Sequence, residues 1–307
     1  MTSTALSVTG LTKRYGARTV VDDLDIELPS GVVAGFVGPN GAGKTTTMAM
    51  LLGLVRTTAG TGSVLGSPID APDAYLSRVG ALIESPAFYP SLSGAENLRV
   101  FATVAGHGTA SIPALLERVG LEDRGDDRYR SYSLGMKQRL GIAAALLKDP
   151  AVLILDEPAN GLDPAGIVEV RQLVRQLGAE GRTVFISSHI LPEIQQTADR
   201  VAILARGRCV KTGPVHEVLA ARGGDSMLVR VRDLAAGRAA LAEAGFNVVE
   251  ADGILRVSVA VTEAERISRT LAERGSFVTE LRPDELDLET VFLELTRDEA
   301  DEGDGPP

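Results

Sequence analysis

The sequence predicts an α/β protein: a parallel sheet wrapped by helices, followed by a second, smaller α+β domain. Two observations carry this. Short stretches with apolar, β-branched centres recur just ahead of helical sequence, as in "GVVAGFVG" from Gly31, "AVLILDEP" from Ala151 and "RTVFISSH" from Arg182. Such runs fit strands buried on both faces, and strands that alternate with helices build parallel sheets. Beyond residue 225 the order becomes strand, helix, strand, strand, helix, strand, which is that of a ferredoxin-like domain.

Taken in chain order, "LDIEL" (Leu24 to Leu28) alternates apolar and acidic residues, as a half-buried strand does. "KTTTMAMLLGLV" after the first apolar strand is helical. Residues 85–150 are mostly helical ("GAENLRVFATVAG", "IPALLERVG", "GMKQRLGIAAALLK") and read as a helical insert on the sheet. "VAILARGRCVKTG" reads as a hairpin and "PVHEVLAA" as a short helix closing a first domain over residues 1–221. The texture changes around "RGGD" (Arg222 to Asp225). A second domain then covers residues 225–296, with "LETVFLELT" as its last helix, and the acidic Gly/Pro-rich tail 297–307 is expected to be disordered.

Composition bounds the function. A net charge of −10 argues against a broad nucleic-acid surface. The single cysteine, Cys209, permits no intrachain disulfide and suits a reducing, cytoplasmic compartment. The first residues lack the basic start and apolar run of a secretion signal. No apolar stretch approaches the ~18 residues that a membrane helix needs.

The chemistry concentrates in two places. "GPNGAGKT", comprising Gly38, Pro39, Asn40, Gly41, Ala42, Gly43, Lys44 and Thr45, matches the phosphate-binding loop pattern between a strand and a helix, with Thr46 next. Its glycines let backbone N–H groups turn inward around phosphates, and the helix start adds its positive dipole end. Lys44 can reach the β- and γ-phosphates, and the Thr45 hydroxyl can bind Mg²⁺. "AVLILDEP" sets Asp156 and Glu157 at the carboxyl end of a strand, where α/β sheets bind ligands. Asp156 is expected to hold Mg²⁺ through water, and Glu157 to polarise an attacking water.

These stretches resemble the nucleotide-binding subunit of an ATP-binding-cassette (ABC) transporter, over residues 5–220. The resemblance implies a P-loop NTPase (RecA-like) core with antiparallel β and helical subdomains, ATP and Mg²⁺ as ligands, and ATP hydrolysis as the activity. "YSLGMKQRL" sits where that family has its signature, so Ser133 and Gly135 would contact a γ-phosphate. "ANGLDP" resembles the D-loop, with Asp163 at a dimer seam. His189 in "ISSHI" resembles the switch histidine, and Tyr15 in "KRYG" the aromatic that stacks on adenine. His107 and His216 have no such support and read as structural.

Two positions depart from the family pattern. The signature usually reads Leu-Ser-Gly-Gly-Gln, whereas here Leu134 and Met136 flank Gly135. In "ALIESPAFYP" the position that usually holds a Gln near Mg²⁺ is Glu84, a possible metal ligand that adds negative charge beside phosphates. The resemblance further implies a head-to-tail dimer, as a homodimer or with a paired ATPase subunit, in which one chain's signature caps its neighbour's ATP. It implies a separate membrane-spanning permease and a place on the inner face of the cell membrane; Phe88 and Tyr89 read either as apolar anchors for that docking or as a small core under their loop. The loop style, signature and C-terminal extension are most similar to the bacitracin- and daunorubicin-type drug exporters. The competing reading is a soluble ABC-type ATPase serving another cytosolic machine.

Overall fold

The structure, a computed structural model, describes residues 3–84, 87–220, 226–251, 253–284, 287–293 and 295. The chain forms two compact units, Met1–Val215 and His216–Pro307. The expected domain boundary at "RGGD", Pro86 of the docking loop, Asp252 of the second-domain turn and the tail 297–307 lie outside the described residues.

The first unit opens with a hairpin of two long strands, β1 (Thr4–Tyr15) and β2 (Arg18–Pro29). The sequence singles out only Leu24 to Leu28 here. Register shifts along the hairpin break the strict alternation that would reveal the rest. Next come β3 (Val33–Val37), α1 (Lys44–Leu51), β4 (Ala59–Val64), β5 (Ser67–Pro68) and β6 (Val79–Leu82). The insert supplies α2 (Gly94–Val104), α3 (Ile112–Arg118) and α4 (Leu134–Leu146). The unit is completed by β7 (Val152–Leu155), α5 (Pro164–Ala179), β8 (Thr183–Ser188), α6 (Leu191–Thr197), β9 (Arg200–Ala205) and β10 (Arg208–Pro214).

Two sheets result. An antiparallel sheet has the order β2-β1-β4-β5. The central sheet has the order β10-β9-β3-β8-β7-β6. Its members β9, β3, β8, β7 and β6 pair in parallel, and only β10 runs antiparallel. Every residue of β3, β7 and β8 is buried, which is why β3 and β7 read as unbroken apolar runs and β8 carries only small hydroxyl residues beside its apolar ones. Phe36 and Phe185, 5.0 Å apart between ring centroids, tie β3 to β8 in the core.

Two of the insert's helices, α2 and α4, start at side-chain caps, as does α5. Ser93 accepts the Glu96 N–H, and Glu96 accepts the Ser93 N–H, a reciprocal capping box on α2. That backbone N–H holds the Glu96 carboxyl below its usual range. Ser133 caps α4 by accepting the Met136 N–H, and Asp163 caps α5 by accepting that of Gly166, with Pro164 at the first helical position.

α7 (Val215–Ala220) precedes the second unit's strands and helices: β11 (Ser226–Val231), α8 (Leu234–Glu243), β12 (Asn247–Ala251), β13 (Ile254–Ser258), α9 (Ala264–Glu273) and β14 (Val278–Pro283). Residues 288–293 are helical. The sheet is antiparallel in the order β12-β13-β11-β14. Val229, Leu241, Leu255, Val257, Ile267 and Leu271 form a separate core. Among the described residues no helix is long and apolar enough to cross a membrane.

Candidate functional site

Parallel strands all deliver their carboxyl ends to one edge of the sheet, so β3, β7 and β8 bring three loops together there. The loop after β3 runs from Gly38 into α1. Gly43, just before the helix, has φ +101°, and a Cβ there would stand 2.7 Å from the Val20 carbonyl oxygen. Only glycine fits that approach. The Lys44 ammonium is buried against this loop. It donates to the Gly38 carbonyl at 2.7 Å and pairs with Glu157 Oε1 at 3.2 Å.

Asp156 and Glu157 directly follow β7. The Asp156 N–H donates to the Leu82 carbonyl at 2.8 Å, which fixes the strand end against β6. Asp156 Oδ2 accepts the Thr45 hydroxyl at 2.7 Å, joining the two loops. Ser187, on β8, completes the frame: its hydroxyl donates to Asp156 Oδ1 and accepts the Glu157 N–H at 2.9 Å. Glu157 itself has φ +49°, a conformation that disfavours side chains and is held here by these surroundings. Its second oxygen, Oε2, lies 2.6 Å from His189 Nδ1. The Glu157 carboxylate thus spans Lys44 on one side and His189 on the other.

An open cleft is lined by Asn40, Gly41, Gly43, Lys44, Thr45 and Thr46 together with Glu157 and His189. Oxygen-only ligands, the exposed Thr45 hydroxyl and the buried Asp156 carboxylate, suit a small hard cation that keeps part of its water shell. Among the described residues no group of three or more His, Cys, Asp or Glu is arranged to hold a metal by itself. Any Mg²⁺ here would depend on phosphate oxygens and water as well.

A second, apolar cavity lies between β8, α5 and α6 beside Glu157, and Glu193 lines it with Ile186, Ile190 and Ile194. Burial pushes the Glu193 carboxyl up. Nearby Glu157 adds to this, while His189 and Arg171 oppose it.

The structure therefore gathers most of the residues expected at one site. Gly38 and Pro39 lie beneath it, accepting from Lys44 Nζ, and the Ala42 N–H closes the loop turn on the Pro39 carbonyl. Tyr15 is not a lining residue. It is 51% exposed, carries the Lys13 ammonium over its ring, and pairs across the hairpin with Arg18, which does line the cleft. Glu84 is also outside the lining. It is exposed, two residues beyond β6, with φ +60°. Ser133, Gly135 and Asp163 stand apart from the chain's own cleft, at the starts of α4 and α5.

Sequence reasoning missed Ser187, Arg18, Val20 and Asn160. Ser187 had a signal: it lies in the same "ISSH" stretch as His189, on a strand adjacent to the one ending at Asp156. The other three carry no local pattern that marks them.

Comparison with known proteins places this geometry in context. A family model described as ABC transporter matches residues 21–160. A bacitracin transport ATP-binding protein of Bacillus licheniformis is 40% identical, across 95% of this chain and 97% of that protein. A daunorubicin resistance ATP-binding protein of Streptomyces coeruleorubidus is 38% identical, across 97% of this chain and 98% of that protein. Among solved structures, one described as the ATP-binding subunit of an ABC transporter is 32% identical with a TM-score of 0.62, covering 70% of this chain and 91% of that one.

Proposed function

The chain belongs to the ABC transporter family as an ATP-binding, ATP-hydrolysing subunit, and from that premise we propose that it powers export of an antibiotic-like compound through a separate membrane-spanning permease. The observation that carries the catalytic part is the Glu157 carboxylate, held between Lys44 and His189 beside the phosphate loop. The cargo class rests on the full-length likeness to bacitracin and daunorubicin proteins. That likeness, which includes the second unit, also favours transport over service to a soluble machine.

In this reading the β- and γ-phosphates enter the loop of Gly38 to Thr46 and compete for Lys44. The ammonium then exchanges the Gly38 carbonyl and Glu157 Oε1 for phosphate oxygens. Oε1 is released to take a proton from a water aligned with the γ-phosphorus, while His189 keeps Oε2 in place. Thr45 and Asp156 would hold Mg²⁺, which supplies charge neutralisation to the phosphates. Glu84, at the end of the neighbouring strand, forms the outer acidic side of the site. Tyr15 is the adenine platform. Ser133 and Gly135 face a neighbouring chain's ATP, with Asp163 at the seam, so the working unit is a dimer on the inner face of the membrane.

The test is to co-express the full chain with any membrane protein encoded beside its gene, purify the two together, and measure ATP hydrolysis with and without candidate antibiotics. Stable association with drug-dependent ATPase supports the reading. Hydrolysis indifferent to the membrane protein, with stable capture by a soluble complex, overturns it.

A further inference from the structure

The departure at Leu134 has a packing partner within the same chain. The Leu134 side chain is 47% exposed, and its Cδ2 lies 3.1 Å from where a Cβ would stand on Gly161. Gly161 has φ +74°, so the bare backbone of the turn after Glu157 is presented directly to this methyl group. The contact is answered from the other side. Leu162 places Cδ2 3.9 Å from the Cβ position of Gly135, and Cδ1 3.5 Å from that of Gly166. A Cβ on Gly161 would crowd Leu134, whereas one on Gly135 would meet Leu162 at ordinary van der Waals distance, so each leucine lies against a glycine of the opposite segment.

This clasp joins two segments with different duties. Leu134 and Gly135 open α4 next to its cap Ser133. Gly161 and Leu162 belong to the turn that leaves Glu157 and ends at Asp163, the cap of α5. Near its start that turn is tied by the Asn160 N–H to the Glu157 carbonyl, at 3.0 Å. The path from the Glu157 carbonyl to Ser133 is therefore one turn and one apolar contact.

We propose that Leu134 and Leu162 are positioning residues that couple the chain's own hydrolytic carboxylate to the start of α4, so that a shift of the Glu157 turn is transmitted to Ser133. The inference rests on the proposed function, in which Ser133 serves a neighbouring chain's nucleotide. The physical basis is steric: at this approach the Gly161 backbone cannot shift toward Leu134 without displacing it. A polar or glycine residue at position 134 would leave the two segments free to move separately.

A double-mutant cycle on the full chain tests this: Leu134→Ala, Leu162→Ala and both together. Three quantities are read: binding of a fluorescent ATP analogue, kcat against KM, and the Hill coefficient for ATP. Each single variant is expected to lower kcat about threefold to tenfold and to bring the Hill coefficient toward one, with analogue binding unchanged. The double variant should be no worse than the poorer single one, because both remove the same contact. Leu134→Met, which refills the space, should restore kcat and cooperativity. Additive losses, or losses confined to analogue binding, would overturn the clasp. So would wild-type kinetics in both single variants, and the same holds for a protein that folds poorly and is not rescued by Leu134→Met. Wild-type protein that binds and hydrolyses ATP without any cooperativity would instead remove the neighbouring-chain premise, and the coupling with it.

Discussion

Glu157 Oε2 and His189 Nδ1 stand 2.6 Å apart across the carboxyl ends of two adjacent parallel strands. The same carboxylate meets Lys44 through its other oxygen, so one side chain is shared between the phosphate loop and the histidine. Removing its charge should separate binding from turnover. Glu157→Gln keeps size and hydrogen-bonding capacity, so ATP binding should persist while single-turnover hydrolysis falls roughly 10²–10⁴-fold. Size-exclusion chromatography with ATP should show a trapped dimer. Near-normal hydrolysis would remove Glu157 from the role of base.

Ser187 is the hidden support of that arrangement, bonded to both Asp156 and Glu157. Ser187→Ala leaves a buried carboxylate oxygen and a backbone N–H without this partner, a loss of about 1–3 kcal/mol. Thermal unfolding should show a Tm lower by several degrees. Turnover should fall more than ATP affinity does, since Ser187 does not line the open cleft.

Glu193 predicts a pH effect of definite sign. Burial raises its native carboxyl above the ordinary 4.5, so the native state holds this proton to higher pH than the unfolded chain. Stability from this group is full below the ordinary value and is lost as pH climbs through the raised one. Glu193→Gln should therefore be more stable than wild type near neutral pH, with the difference vanishing at acid pH. His189, Glu157 and Arg171 face the same carboxyl, so the comparison is best made by Tm at matched salt.

Cys209 should be chemically quiet. Burial pushes its thiol up to about 11, and its Sγ–H donates to the Lys211 carbonyl at 3.5 Å. Because the thiolate is the reactive form, alkylation by iodoacetamide at pH 8 should run about a hundredfold slower in the native protein than in urea. Equal rates would show the site to be open.

Glu84 offers a charge test at the rim. Glu84→Gln removes a negative charge from an exposed position near the strand ends, which should tighten apparent ATP affinity by no more than about fivefold, an effect that fades with added salt. An unchanged rate and affinity at low salt would exclude Glu84 from the site.

The amino-acid sequence by itself determined the parallel core and the phosphate loop. Strands such as Val152–Leu155 are buried on both faces, so hydrophobicity writes them without ambiguity, and "GPNGAGKT" is a local pattern whose chemistry depends on adjacent residues. Asp156 and Glu157 were legible for the same reason: they end a strand that the sequence displays. The tertiary structure alone decided what lies across strands. Ser187 reaches Asp156 only because β8 pairs with β7, and Arg18 reaches the cleft only because a bulged hairpin folds over it. The seating of Leu134 on Gly161 is of this kind too. The residues are far apart in the chain, and nothing in either segment names the other. Periodicity and short motifs record what a residue does with its near neighbours, whereas pairing between distant strands and turns is settled by packing of the whole unit.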